Sequence, residues 1–474
     1  MSLMAYDLAL LALFILFVSV FLYRNKKNLK KEGLLFLYRT SWGIKLINSV
    51  GKKYKRLLNS LSYISIGMGY LLMIGILYFV GKIIYLYVAY PQIVRAIKVP
   101  PIMPLIPYLP QVFRLDFLPP FYFTYWIIIL AIIAITHEFA HGIFAALYKV
   151  RIKRTGFGFF PFFLPIFLAA FVELDEEVMK KKKKFSQMAI LSAGTFANLL
   201  TAILFFIIMW FFFSLAFAPT GVVFNDYAYS VVEIAGVSMV NGIAIENASY
   251  QKVLDLMNET GFSKIQADNR SYVATKEFLD TQGEIYNYTF LYYDSPAINA
   301  ELEGVITEIN GVKTISMETF QEELLKNSPG EKINLKTKVG EEIIEYELVL
   351  GENPRDENLP YLGVGFISQS RSGVIGKIIN LMSSFKASNI YYEPKFEAGW
   401  FIYHLLWWLV LISLSVALIN MLPVGIFDGG RFFYLTILGI TGSKKSAEKT
   451  FKFVTRLFLF LLLLIMVFWA MSFF

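Results

Sequence analysis

No cysteine occurs in the 474 residues. That excludes a disulfide framework, a thiolate-ligated metal site and thiol catalysis. Histidine is almost as scarce. There are three, His137, His141 and His404, so any imidazole-based site draws on these. Charge is sparse as well: 17% of residues are charged and 56% are hydrophobic, with a mean hydropathy of +0.55. That is too apolar for a soluble domain and indicates a polytopic membrane protein.

The charge that is present is unevenly distributed. The formal net charge is +8. Residues 217–398 hold 26 acidic and 14 basic residues, a net of −12, which leaves 10 acidic and 30 basic residues, a net of +20, elsewhere. Most of those bases stand in short segments between apolar runs. That is a topology signal under the positive-inside rule, not a nucleic-acid footprint.

Six apolar runs reach spanning length. Residues 5–23 are followed at once by RNKKNLKK, the reverse of a signal peptide's order, and read as an uncleaved helix ending in the cytoplasm. Residues 34–60 mix aromatics with bases and read as lying at the cytoplasmic interface. The second span is 61–90. Residues 91–120 are proline-rich, which argues against helix and for an external or partly inserted loop. The third span, 125–148, runs inward to Lys149, Arg151, Lys153 and Arg154. Residues 156–174 are apolar but broken by Gly158, Pro161 and Pro165. They read as a re-entrant, strand-like segment, with a kinked helix as the alternative. The fourth span is 185–217, the fifth 400–420 and the last 451–474, which puts both termini outside.

Four domains follow: 1–120 with two spans, 121–217 with the first half of a catalytic core, 218–398 as the one large polar region, and 399–474 with the second half. The acidic region carries four N-x-S/T sequons, at Asn247, Asn258, Asn269 and Asn287, and span counting makes it extracytoplasmic. Within it, alternating runs separated by N-G and Gly turns predict a small β-rich module. NGVKTISMETFQEELL at 310–325 echoes NGIAIENASYQKVLDL at 241–256 with a one-residue gap, which suggests a duplicated or nested module. Residues 371–388 pattern as an interfacial amphipathic helix.

The third span contains HEFAH at 137–141. Residues four apart share a helix face, so His137 and His141 can meet on one metal ion, with Glu138 beside it to activate a water. Ionisable residues at membrane depth are costly and mark function. Catalytic zinc takes three protein ligands. His404 fits by type, but it stands near the outer end of its span while the motif is near the inner end, a gap of about 15 to 20 Å. Asp428 stands at the correct depth, in the glycine- and proline-broken stretch NMLPVGIFDGGR at 420–431, and is the third ligand expected. In SAGTFANLL at 192–200, Gly194 and Asn198 share a face. Asn198 either bonds a neighbouring helix or serves the substrate.

Together HEFAH, SAGTFANLL, NMLPVGIFDGG and the module SPAINAELEGVITEINGVK at 295–313 resemble the site-2 protease family of intramembrane zinc metalloproteases, over the chain from about residue 121 onward. The resemblance implies a polytopic α-helical membrane protein with an inserted α+β PDZ-like domain and a membrane re-entrant β segment. It implies Zn²⁺ held by His137, His141 and Asp428, Glu138 as general base, and Asn198 and Asn420 close to the substrate backbone. The partners it implies are the lipid bilayer and transmembrane protein substrates, cleaved in regulated intramembrane proteolysis. The alternatives are a catalytically inactive scaffold or receptor on the same fold, a membrane-anchored zincin whose E-x-x-x-D signature is absent, and a metal transporter, which lacks a second set of acids.

Overall fold

Long apolar runs without interior proline fold as helices, because in lipid only helices and closed barrels satisfy every backbone polar group. The structure is a computed structural model that describes residues 3–32, 35–90, 103–115, 117–159, 168–282, 287–366, 376–377, 380 and 383–471. Among the described residues, six helices are long and apolar enough to cross a membrane: α1 (Leu3–Arg24), α3 (Lys55–Ala89), α4 (Phe123–Leu147), α6 (Lys184–Ala216), α10 (Gly399–Ile419) and α12 (Lys444–Met471). The protein is a multi-pass membrane protein with a β-rich portion. The shorter helices of five or more residues are α2 (Ile44–Lys53), α5 (Glu176–Lys180), α7 (Tyr250–Asp255), α8 (Lys276–Gln282), α9 (Met317–Leu325) and α11 (Asp428–Thr441), among the described residues. Two compact units form, one from residues 1–212 and 400–474, the other from 213–399.

In the first unit a four-stranded antiparallel sheet runs in the order β1 (Leu29–Glu32), β2 (Leu35–Thr40), β3 (Ile152–Phe159), β4 (Leu168–Leu174). Residues 156–174 thus contain strands at both ends, while the prolines at 161 and 165 lie outside the described residues. The stretch expected at the interface contributes β2 as well as α2. A six-residue run is ordinary strand length, and β1 and β3 partner it on both sides. In the proline-rich stretch, one helical turn forms at Leu109–Val112 with Pro110 in its first turn, where a missing N–H costs nothing. The amphipathic helix expected at 371–388 falls largely outside the described residues.

Helix α4 packs on every side. Phe123, Tyr125, Trp126 and Ile129 join Trp408, Leu409 and Ile412 of α10 in one buried cluster. Ala145 joins Ala189 and Ala193 of α6, Met421 and Phe432 in another. Its N-terminus is held from a distance. Asp7, buried on α1, accepts hydrogen bonds from the backbone amides of Phe123 (2.7 Å) and Thr124 (2.9 Å), and from the hydroxyls of Thr124 (2.5 Å) and Tyr108 (2.6 Å). A helix start leaves four N–H groups without intrahelical partners, and Asp7 meets two of them.

The second unit has two larger sheets. One runs β7 (Tyr229–Glu233), β12 (Tyr288–Tyr293), β11 (Arg270–Thr275), β10 (Phe262–Ala267), β8 (Val237–Val240), β9 (Ile243–Ala244). The other runs β16 (Glu342–Val349), β15 (Lys332–Val339), β13 (Val305–Ile309), β5 (Phe217–Val223), β20 (Ile390–Pro394), with β14 (Val312–Lys313) on β13. Two ribbons complete the unit: β17 (Gly351–Asn353) with β18 (Asp356–Tyr361), and β6 (Asp226–Tyr227) with β19 (Val364–Gly365).

The N-G echo corresponds to a repeated construction. Asn241 and Asn310 both adopt φ of 49°, each followed by a glycine in the left-handed region. Each uses its side-chain oxygen to accept from the next long strand, Lys264 N–H at 3.0 Å and Asn334 N–H at 2.9 Å. Each also donates to an asparagine after the following helix, Asn258 and Asn327. Serine caps both helices, Ser249 on α7 and Ser316 on α9. Strand, N-G turn, short strand, capped helix and strand pair therefore occur twice.

Candidate metal centre

His137 and His141 sit one turn apart on α4, 8% and 9% exposed, with both rings turned toward α11. Asp428 is the first residue of α11. Chain reversal just before it depends on close packing: Gly429 N–H donates to the carbonyl of Asn420 (2.7 Å), and a Cβ on Gly429 would lie 2.3 Å from the carbonyl carbon of Met421. Only glycine fits there, which explains the D-G-G.

The three donor atoms converge. Nε2 of His141 is 3.1 Å from Nε2 of His137 and 3.1 Å from Oδ2 of Asp428, and Nε2 of His137 is 3.4 Å from the same oxygen. Ligands about 2.05 Å from a tetrahedral zinc stand about 3.3 Å from one another. The set fits one such ion, and among the described residues it is the group of His and carboxylate side chains with this spacing. His404 lies elsewhere: from its position to Ile419 at the end of α10, the helix rises about 22 Å.

Helix α6 forms the back wall. A Cβ on Gly194 would lie 2.4 Å from Nε2 of His141 and 2.6 Å from Nε2 of His137, so α6 must present bare backbone at this point. The carbonyl of Ile190 accepts from Nδ1 of His141 at 2.7 Å, which leaves Nε2 free to bind metal. Asn198, expected beside the substrate, is fully buried behind His137, with its amide nitrogen 3.0 Å from Nδ1 of that ring.

A cavity of about 670 Å³ opens on the other side. His137, Glu138, His141, Asp428 and Asn420 line it, with Ala170, Val172 and Leu174 from β4. These three alternate along the strand, so one face of β4 lines the cavity, and β4 is the last strand of its sheet. Val172 donates its amide to Oε2 of Glu138 (2.8 Å). Arg431, also lining the cavity, pairs with Glu176 at 2.8 Å. The sequence reading missed Arg431, though it lies three residues past Asp428 and therefore on the same helical face. It also missed the Ile190 carbonyl and the Val172 amide, which as backbone groups carry no residue-type signal.

Residues 125–465 match the model of peptidase family M50, well over half of the chain. The chain belongs to peptidase family M50. Membership implies Zn²⁺ as the cofactor, and His137, His141 and Asp428 offer a donor set for it. Among similar proteins, the zinc metalloprotease RasP of Shouchella clausii is 27% identical over 183 residues, 33% of this chain and 44% of that protein. The uncharacterized protein MJ0971 of Methanocaldococcus jannaschii is 33% identical over 199 residues, 40% of this chain and 47% of that protein. The matched stretch spans less than half the length of either relative.

Proposed function

We propose that this M50 protein is an intramembrane zinc endopeptidase that cleaves membrane-spanning segments of other membrane proteins. One observation carries the reading: two histidines and an aspartate from two apolar helical segments bring their ligand atoms within 4.8 Å, beside a glutamate, in a cavity large enough for a peptide. His137, His141 and Asp428 would hold the metal. Zinc bound there supplies Lewis acidity, polarising a peptide carbonyl and making water a better nucleophile at neutral pH.

Glu138 takes the proton from the attacking water and returns it to the leaving amine. The Val172 amide holds one carboxylate oxygen, so the other is free for proton transfer. The unpaired edge of β4, the last strand of its sheet, pairs with the substrate as an added strand, which opens a helical segment and exposes its carbonyls. Asn420, lining the same cavity, contacts the substrate backbone.

The acidic second unit is extracytoplasmic on this reading, because cytoplasmic segments concentrate basic residues and here acids outnumber them. Its two similar constructions are PDZ-like modules, and they filter the substrates of regulated intramembrane proteolysis. An inactive scaffold would have no use for Glu138 beside an intact ligand set.

The test compares wild type with Glu138→Ala. The variant should keep one zinc per chain and lose cleavage of a transmembrane substrate. Membrane proteomes from cells carrying the two forms should differ in full-length and clipped single-span proteins. Equal cleavage by both forms sinks the proposal.

A further inference from the structure

Asn198 presents a buried inconsistency. Its Nδ2 points at Nδ1 of His137, 3.0 Å away, while its Oδ1 is buried and has no hydrogen-bond partner. A donor facing Nδ1 requires that nitrogen to be bare, which puts the ring proton on Nε2, on the side of Asp428. That tautomer cannot ligate a metal through Nε2. The neighbouring ligand does not share the problem: Nδ1 of His141 faces a carbonyl, an acceptor, and its Nε2 is free.

Carboxamide oxygen and nitrogen occupy equivalent ends of a planar group, and half a turn exchanges them. After that turn Oδ1 accepts from Nδ1–H, Nδ2 takes the place Oδ1 held, and the Nε2 lone pair faces Asp428 and His141. Both histidines then receive the same treatment from α6, Ile190 O behind one and Asn198 Oδ1 behind the other, eight residues apart on one face. Metal-ligating histidines depend on such an outer acceptor to fix tautomer and ring orientation.

We propose that Asn198 is a positioning residue: its carboxamide oxygen fixes His137 as the Nδ1–H tautomer and so sets the metal affinity of the centre. This rests on the zinc reading of the site. It replaces substrate contact as the role of Asn198, because the side chain is fully buried behind the ligand and the residues lining the cavity do not include it.

The experiment measures Zn²⁺ affinity by chelator competition on the full-length protein in detergent, for wild type, Asn198→Leu and Asn198→Asp. Leucine keeps the volume and removes the acceptor, and Zn²⁺ affinity should fall about 10- to 100-fold. Aspartate accepts but cannot donate, and it should restore affinity to within a few-fold of wild type. Nitrogen NMR of His137 should report Nδ1–H in wild type and Asn198→Asp, and a tautomer mixture in Asn198→Leu. Wild-type affinity in Asn198→Leu overturns the inference, as does equal weakening by leucine and aspartate, which would mean packing alone. Failure of the wild type to bind Zn²⁺ at all sinks the zinc reading instead, so the two failures are distinct.

Discussion

The backbone amide of Val172 donates to Oε2 of Glu138 across 2.8 Å, joining the edge of β4 to the proposed base. The donor is main chain, so most substitutions at 172 leave it in place. Proline removes it. Proline is tolerated on edge strands where the lost N–H lies outside the ladder, and β4 is an edge strand with this N–H turned away from β3. Val172→Pro should keep zinc and fold while lowering kcat about 10- to 100-fold through a misdirected carboxylate. Unchanged turnover in a zinc-replete Val172→Pro protein would show that this hydrogen bond does not orient the base.

Asp428→Ala should lose zinc. It removes one of three donors, and the two histidines left behind cannot complete a catalytic site. His404→Ala should keep one zinc per chain, because His404 stands about 22 Å of helix away from the end of α10 nearest the site. Metal content of the two purified variants decides the matter. Zinc retained by the first and lost by the second would reverse the ligand assignment.

Gly194→Ala separates metal binding from folding. Alanine is favoured over glycine in a helix by about 1 kcal/mol, so α6 should be no less helical by circular dichroism. The new methyl would stand 2.4 Å from Nε2 of His141, inside the space the metal needs. Zinc content should drop sharply with helicity unchanged. Full zinc occupancy would mean that α6 moves back without cost.

Asp7 stands outside the stretch matched by the family model, yet it clamps the helix that carries the motif. Asp7→Ala leaves two backbone amides and two hydroxyls without their acceptor. Hydrogen bonds to a charged group contribute about 1.5 to 3 kcal/mol each. Together the losses should destabilise the first unit by about 3 kcal/mol or more, read as a lower melting temperature in detergent. Asp7→Asn, which retains one oxygen, should fall between alanine and wild type.

Much of this molecule is legible along the chain, and the reason is the bilayer. Lipid leaves apolar runs of about 20 residues little choice but helix, so the six runs read from sequence correspond to α1, α3, α4, α6, α10 and α12. The i, i+4 spacing of His137 and His141 is a local property of one helix. So is the break around Asp428, where Pro423, Gly425, Gly429 and Gly430 interrupt an apolar pattern. The N-G echo carried the repeated construction of the second unit, because left-handed Asn-Gly turns have a strong residue preference.

The sequence by itself therefore determined the spans, the two metal-binding half-motifs and the existence of a β-rich acidic region, since each depends on neighbours within a few turns of chain. Tertiary structure alone decided what those halves meet. Leu35–Thr40 is held as a strand between neighbouring β1 and β3, and β3 lies more than 110 residues later. The donors and acceptors that orient Glu138 and His141 are backbone groups, and every residue has those, so no side-chain pattern marks them. Asn198 was visible as a polar residue in an apolar helix. That it faces Nδ1 of His137 and not the cavity depends on the rotation of α6 against α4, which small residues at the contact permit and the whole bundle fixes.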